Sequence, residues 1–190
     1  MMESSLKNML LSLGIITLVC SALLGVVYSV TKEPIEAAQN AKTIEAIGSV
    51  LPQFETLGEM TPCEGGSFCK AFVNDTTVVG YAVNASSTGF GGVLKLMVGF
   101  RPDGSISGVS VLSHSETPGL GAKCTDPAFS SQFIDFNPAE KSLSVKKDGG
   151  DVDAITASTI TSRAYCKALQ NAYDIFKAET TIIVEEPKNE

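Results

Sequence analysis

An uncharged apolar run, MLLSLGIITLVCSALLGVVYSV, extends from Met9 to Val30 and limits what the rest of the chain can build. At ~1.5 Å of rise per residue it makes a helix of about 33 Å, long enough to cross the hydrocarbon layer of a membrane. Its hydroxyls are satisfied by bonding back to carbonyls one turn earlier, or by packing against neighbouring helices. A cleaved signal peptide is the competing reading. The run, however, exceeds the usual ~7–15 apolar residues of such a peptide and lacks a small-x-small cleavage site before a polar start. Cys20 comes after Thr17, Leu18 and Val19, without the small residue expected before a lipidated cysteine. The expectation is a retained transmembrane helix over residues 9–30, after a short segment 1–8. Lys7 and Lys32 flank it almost symmetrically, so the positive-inside rule leaves its orientation open.

The remainder suits one domain of ordinary size, residues 31–184, with a frayed tail at 185–190. Hydrophobic residues make up 44% and charged residues 18%, too little charge for a disordered chain. The net charge of -7, without clusters of Lys and Arg, argues against a nucleic-acid partner, because neutralising phosphates requires such clusters. Five cysteines, at 20, 63, 69, 124 and 166, include no C-x-x-C pair and accompany a single histidine, so no metal site is expected. Each cysteine reads as a small buried side chain. In a domain outside the cytoplasm, Cys63 and Cys69 are also a candidate disulfide closing the CEGGSFC loop, with Cys124 and Cys166 a second candidate pair.

Periodicity gives an amphipathic helix over Ile35 to Leu51, with Ile35, Ala38, Ile44 and Ile47 near one face and Pro52 as its stop. Strands are expected at Thr77 to Ala85, Val93 to Phe100 and Ile106 to Leu112, the last two joined by an RPDG turn. A short helix is placed at Pro127 to Phe136. A longer one runs from Thr159 to Lys177, with Ala164, Ala168, Leu169, Ala172 and Ile175 inward. Thr180 to Glu185 reads as an edge strand. The class is α+β: one N-terminal transmembrane helix, then a single mixed domain of helices and antiparallel sheet.

Three segments rich in glycine or hydroxyls fall between these elements: Gly89-Phe90-Gly91-Gly92, His114 to Gly121 (HSETPGLG), and Asp153 to Ser162 (DAITASTITS). Each is sufficient as a turn. Glycine also lets backbone approach a flat ring or a phosphate, and two such loops in one small domain suit a cofactor. The third segment opens a helix, where unpaired N–H groups and the positive dipole end favour an anion. One hydroxyl would serve as an N-cap, whereas Thr156, Ser158, Thr159, Thr161 and Ser162 exceed that need.

Asp153-x-x-Thr156-Ala157-Ser158-Thr159-x-Thr161 resembles the D-x-x-[ST]-G-A-T-x-[ST] signature of FMN-binding domains. Such domains occur in the G subunit of the Rnf electron-transport complex and the C subunit of the sodium-pumping NADH:quinone reductase. HSETPGLG is similar to the H-x-E-T-P-G-L-G loop of these proteins, and Gly89 to Gly92 to their G-[FY]-G-G loop. The three motifs occur in family order, and the shorter chain fits the Rnf G subunit better. Ala157 stands where the family has Gly, and Ser158 where it has Ala, which adds bulk beside the acceptor.

The resemblance implies FMN attached covalently through its phosphate to Thr159, installed by a flavin transferase that reads Asp153 and Thr156. It implies Ser158, Ile160 and Thr161 around the anchor, and Gly91, Glu116, Thr117, Leu120 and Gly121 toward the flavin. Lys123 is a candidate to stabilise a reduced or semiquinone anion, with a solvated lysine as the favoured alternative. His114 is expected to make an orienting hydrogen bond within its loop. The chain is then an electron carrier without a substrate pocket of its own, enzymatic only as part of an ion-translocating ferredoxin:NAD oxidoreductase complex. Its partners are the other membrane and peripheral subunits. It lies in the inner (cytoplasmic) membrane with the domain on the extracytoplasmic side. The rivals are a membrane-anchored peptide- or glycan-binding module without flavin, and a flavin-dependent reductase with its own soluble substrate.

Overall fold

The computed structural model describes residues 6–74 and 77–185, in two compact units, Met1–Lys42 and Thr43–Glu190. In the first unit the described residues belong to one continuous helix, α1 (Leu6–Val50), which runs on into the second. Separate helices at 9–30 and 35–51 do not form, and Pro34 lies inside α1. A proline there removes one hydrogen bond of the ladder but does not end this helix. The hydroxyls of the apolar run bond backwards as expected: Thr17 Oγ1 donates to the Leu13 carbonyl at 3.0 Å and Ser29 Oγ to that of Val26 at 2.9 Å. Leucines, isoleucines and valines are exposed along this segment, which is long and apolar enough to cross a membrane by length and composition.

The second unit is built on an antiparallel sheet. Its strands are β1 (Thr56–Leu57), β2 (Thr61–Cys63), β3 (Gly66–Val73), β4 (Thr77–Thr88), β5 (Val93–Phe100) and β6 (Ile106–Ser113). The order is β1-β3-β4-β5-β6, with β2 also paired to β3. β4, β5 and β6 lie where alternation places them, β4 and β6 running slightly longer than expected. β3 (GSFCKAFV) is an additional long strand, buried on alternate faces at Phe68 and Cys69.

Period-two alternation divides the apolar residues between two cores. Val83, Leu94, Leu96, Val98 and Phe100 face the long helix α3 (Thr159–Glu185), meeting Tyr165, Leu169, Ala172 and Phe176. On the opposite face Cys69, Ala71, Ala82 and Met97 meet Ala46, Ile47 and Val50, the last turn of α1. The inward face of α1 is thus Ala46, Ile47 and Val50, whereas Ile35 and Ile44 are exposed. A short helix, α2 (Pro127–Ser130), passes into a 3-10 turn at Ser131–Phe133, which seats Phe129 and Phe133 against Tyr165.

Two expectations are overturned here. Thr180 to Glu185 continues α3, because Thr180 and Thr181 turn their hydroxyls back onto the Phe176 and Lys177 carbonyls at 2.6 and 2.7 Å. A threonine hydroxyl in a helix can bond back to such a carbonyl, so these side chains find their partners within α3. The candidate disulfides do not form either, since all five cysteines are free thiols. Cys63 packs on the α3 side of the sheet and donates to Glu179 Oε1 at 3.2 Å, whereas Cys69 is buried on the α1 side and donates to the Gly58 carbonyl. Opposite faces separate the two thiols, and only a register slip would bring them together. Cys124 and Cys166 are buried apart from solvent in the α3-side core, where burial pushes their thiols up to about 11 and about 12.

Candidate functional site

Three connections converge at the N-terminal end of α3. The Gly89 to Gly92 segment is a tight turn between β4 and β5, closed by the Gly89 N–H on the Gly92 carbonyl at 2.8 Å. The His114 to Leu120 stretch leaves β6 and enters a 3-10 turn at Gly121–Thr125. The third connection, Asp153 to Ser158, leads into Thr159, the first residue of α3.

Glu116 ties them together. It is buried, with the Gly91 N–H donating to Oε1 at 3.2 Å and the Thr161 hydroxyl donating to Oε2 at 2.7 Å. Its own N–H donates to His114 Nδ1 at 3.2 Å, the orienting bond expected of the histidine. The glycines around it reflect close approach: a Cβ on Gly89 would lie 2.1 Å from Glu116 Oε1, and one on Gly121 2.4 Å from Oε2.

The turn before α3 is also internally braced. Ser162 Oγ accepts the Ile155 N–H at 2.9 Å and donates to the Ser158 carbonyl at 3.0 Å, while the Ser158 N–H closes onto the Ile155 carbonyl. Ala157 sits between them at φ 62°, in the left-handed region. The demand for that conformation accounts for the family's glycine at this position. Two of the surplus hydroxyls therefore have structural employment, Thr161 on Glu116 and Ser162 on the turn, and Thr159 stays half-buried at the helix start.

Beside Thr159 lies a cleft of about 370 Å³, lined by Phe90, Glu116, Thr117, Leu120, Gly121 and the stretch Ala157 to Thr161. Phe90, Leu120 and Ile160 keep 70%, 45% and 53% of their surface exposed, an apolar rim available to a flat ring. At the other end are the first N–H groups of α3, which have no intrahelical acceptors and suit a phosphate. Ring-binding and phosphate-binding surfaces thus adjoin, as FMN requires. Among the described residues no group of three or more His, Cys, Asp or Glu could hold a metal.

The structure brings Thr159, Ser158, Ile160, Thr161, Glu116, Thr117, Leu120 and Gly121 to this cleft. Gly91 stands behind it, on the back of Glu116. Thr156, Asp153 and Lys123 line a neighbouring groove. One cause is the 3-10 turn after Leu120, which buries Gly121 and carries Lys123 past the cleft. Asp153 is held there by Gln132, which accepts its N–H at 2.8 Å and donates to its carbonyl at 3.2 Å, and by Lys146 at 2.8 Å. Phe90 and Ala157 are lining residues additional to those expected. The sequence signal for Phe90 is its place in the G-[FY]-G-G loop that the chain resembles.

A cleft with these two surfaces on an α+β scaffold defines an FMN-binding domain, and that family's model matches residues 89–174. The model of the RnfG N-terminal region matches residues 1–50. The G subunit of the ion-translocating oxidoreductase complex of Methanosarcina acetivorans is 36% identical over 185 residues, covering 93% of this chain and 97% of that one. The protein of the same name from Shewanella baltica is 30% identical over 207 residues, covering 100% and 97%. The crystal structure of Shewanella oneidensis NqrC aligns with a TM-score of 0.47 at 24% identity, covering 68% of this chain and 73% of that one. The chain belongs to the family of G subunits of ion-translocating oxidoreductase complexes.

Proposed function

We propose that the chain is a membrane-anchored electron carrier of such a complex, holding FMN by a phosphoester on Thr159. The observation that carries this reading is the place of the Thr159 hydroxyl: the first residue of α3, half-buried, lining a cleft with an apolar rim. Attachment by a flavin transferase uses FAD as donor. Thr159 Oγ1 forms a bond to the FMN-side phosphorus, the pyrophosphate P–O bond breaks, and AMP leaves with the hydroxyl proton.

The ester also suits the charge of the site. A free phosphate monoester carries about -1.5 to -2 charges near neutrality, whereas the diester retains about one. Among the described residues no lysine lines the cleft, and the remaining charge is met by the N-terminal dipole of α3. Bound there, FMN supplies the one- and two-electron chemistry. The chain's own part is to seat the ring between Phe90, Leu120 and Ile160, to exclude water with the Glu116 loop, and to fix the phosphate at the helix start. Asp153 and Thr156, in the adjoining groove, remain accessible for recognition by the transferase.

The residue 9–30 segment anchors the subunit in the inner membrane with the domain on the extracytoplasmic side. The other subunits of the complex supply and accept electrons. A denaturing gel of protein matured with its transferase tests the attachment. Flavin fluorescence is expected to stay with the wild-type band and vanish in Thr159→Ala. A dark wild-type band would favour a binding module without flavin, and a fluorescent Thr159→Ala band would move the anchor elsewhere.

A further inference from the structure

Given that FMN occupies the Thr159 cleft, the reading on which this rests, we infer that Glu116 tunes the bound flavin, holding its reduction potential low with a fixed negative charge. Glu116 lines the cleft and is only 6% exposed. Both of its carboxylate partners are neutral donors, the Gly91 N–H at 3.2 Å and the Thr161 hydroxyl at 2.7 Å. Among the described residues its carboxylate makes no ion pair; the four ion pairs present join other groups. Lys123, the cation nearest in sequence, faces the neighbouring groove.

Neutral donors occupy the carboxylate oxygens without supplying a compensating positive charge. At a buried position that charge is screened far less than it would be in water. Reduction places added electron density on the flavin, and a nearby carboxylate opposes it. The dipole of α3 acts in the other direction, but it is backbone and stays constant when Glu116 is changed. The carboxylate is also held in one place: a Cβ on Gly89 or Gly121 would collide with it at 2.1 or 2.4 Å, so these glycines reserve its space from both sides. A purely structural clamp would not require a charge. A glutamine of the same shape fits the same space, accepts from Gly91 and pairs with Thr161.

That equivalence makes Glu116→Gln the decisive variant. Full-length wild type and variant, matured with the transferase, are titrated by spectroelectrochemistry after gel fluorescence has confirmed that flavin is attached. The expected result is an attached flavin whose reduction equilibrium shifts toward the reduced form by at least about tenfold, or about 30 mV for a two-electron couple. An attached flavin with an unchanged potential overturns the inference. So does a folded Glu116→Gln protein that takes up no flavin, since the carboxylate would then serve loading. Glu116→Ala supplies a second arm if Glu116→Gln fails to fold. It removes the charge together with the side chain, so the equilibrium is again expected to shift toward the reduced form, by about threefold or more. A shift in the opposite direction, or none, overturns the inference. An unmodified Thr159 peptide in wild type is a different outcome, because it removes the attachment itself and leaves no flavin to titrate.

Discussion

Replacing Gly121 with alanine should loosen the site without touching Thr159. The new Cβ would lie 2.4 Å from Glu116 Oε2, 2.7 Å from Thr161 Oγ1 and 2.9 Å from Glu116 Cβ. Ordinary contact needs about 3.5 Å, so the carboxylate must withdraw by roughly 1 Å. That displacement breaks the 2.7 Å bond from Thr161, leaving a buried carboxylate short of a donor. A hydrogen bond to a charged group is worth about 1.5–3 kcal/mol, and overpacking costs about 1–3 kcal/mol. Since relaxation relieves one at the expense of the other, the expected total is about 2–4 kcal/mol. At roughly 2–4 °C per kcal/mol for a chain of this size, Tm falls by about 4–16 °C.

The chain has no tryptophan, so near-UV circular dichroism of the buried Tyr165 and Tyr173, on full-length protein in detergent, reports melting of the domain. Gly119→Ala is the control. Gly119 has φ 77° and nothing within 4 Å of its virtual Cβ, so alanine there costs only backbone strain of about 1 kcal/mol. A Gly121→Ala protein melting no lower than Gly119→Ala would refute the account of the Glu116 enclosure.

Two further outcomes concern the strained turn and the buried thiols. Ala157→Gly relieves a left-handed strain of about 1–2 kcal/mol while adding about 0.5–1 kcal/mol of unfolded-state entropy, so Tm should rise by about 1–2 °C. A fall would contradict the strain assigned to φ 62°. Cys124 and Cys166 have folded-state values near 11 and 12, above the ordinary 9 of an exposed thiol, so the folded protein holds these protons more tightly than the unfolded chain. Their contribution is whole below about pH 9 and is lost as the pH rises through about 11–12. The urea midpoint should therefore drop between about pH 8 and about pH 11, and drop less in Cys166→Ala. Equal drops would assign the alkaline loss to other groups.

The sheet's centre is legible in the sequence because β4, β5 and β6 each present an alternating or densely apolar run bounded by turn residues. α3 is legible through its 3.6-residue spacing, but its end is not. β-branched Thr180 and Thr181 favour a strand by local preference, yet the helix continues through them, with their hydroxyls bonded to Phe176 and Lys177. The expected separation into helices at 9–30 and 35–51 is absent too: α1 continues through Pro34, which removes one bond of its ladder. Strand β3 escapes pattern reading because GSFCKAFV is buried alternately on two cores, which removes the polar face that usually marks a strand.

At the site, motif spacing locates Thr159 and Glu116 but cannot locate Lys123. A single 3-10 turn decides which groove that side chain faces, and such a turn leaves little imprint on composition. The disulfide expectation fails on strand parity. Six residues of separation in CEGGSFC include a hairpin, and the turn, not the count, sets which face each sulfur takes.

Thr159 begins the same helix that carries Tyr165, Leu169, Ala172 and Phe176 into the main core. The ester proposed at Thr159 would therefore be carried by a helix seated in the main core, and Thr161 of that helix also holds the Glu116 loop, so anchor and cover would share one support.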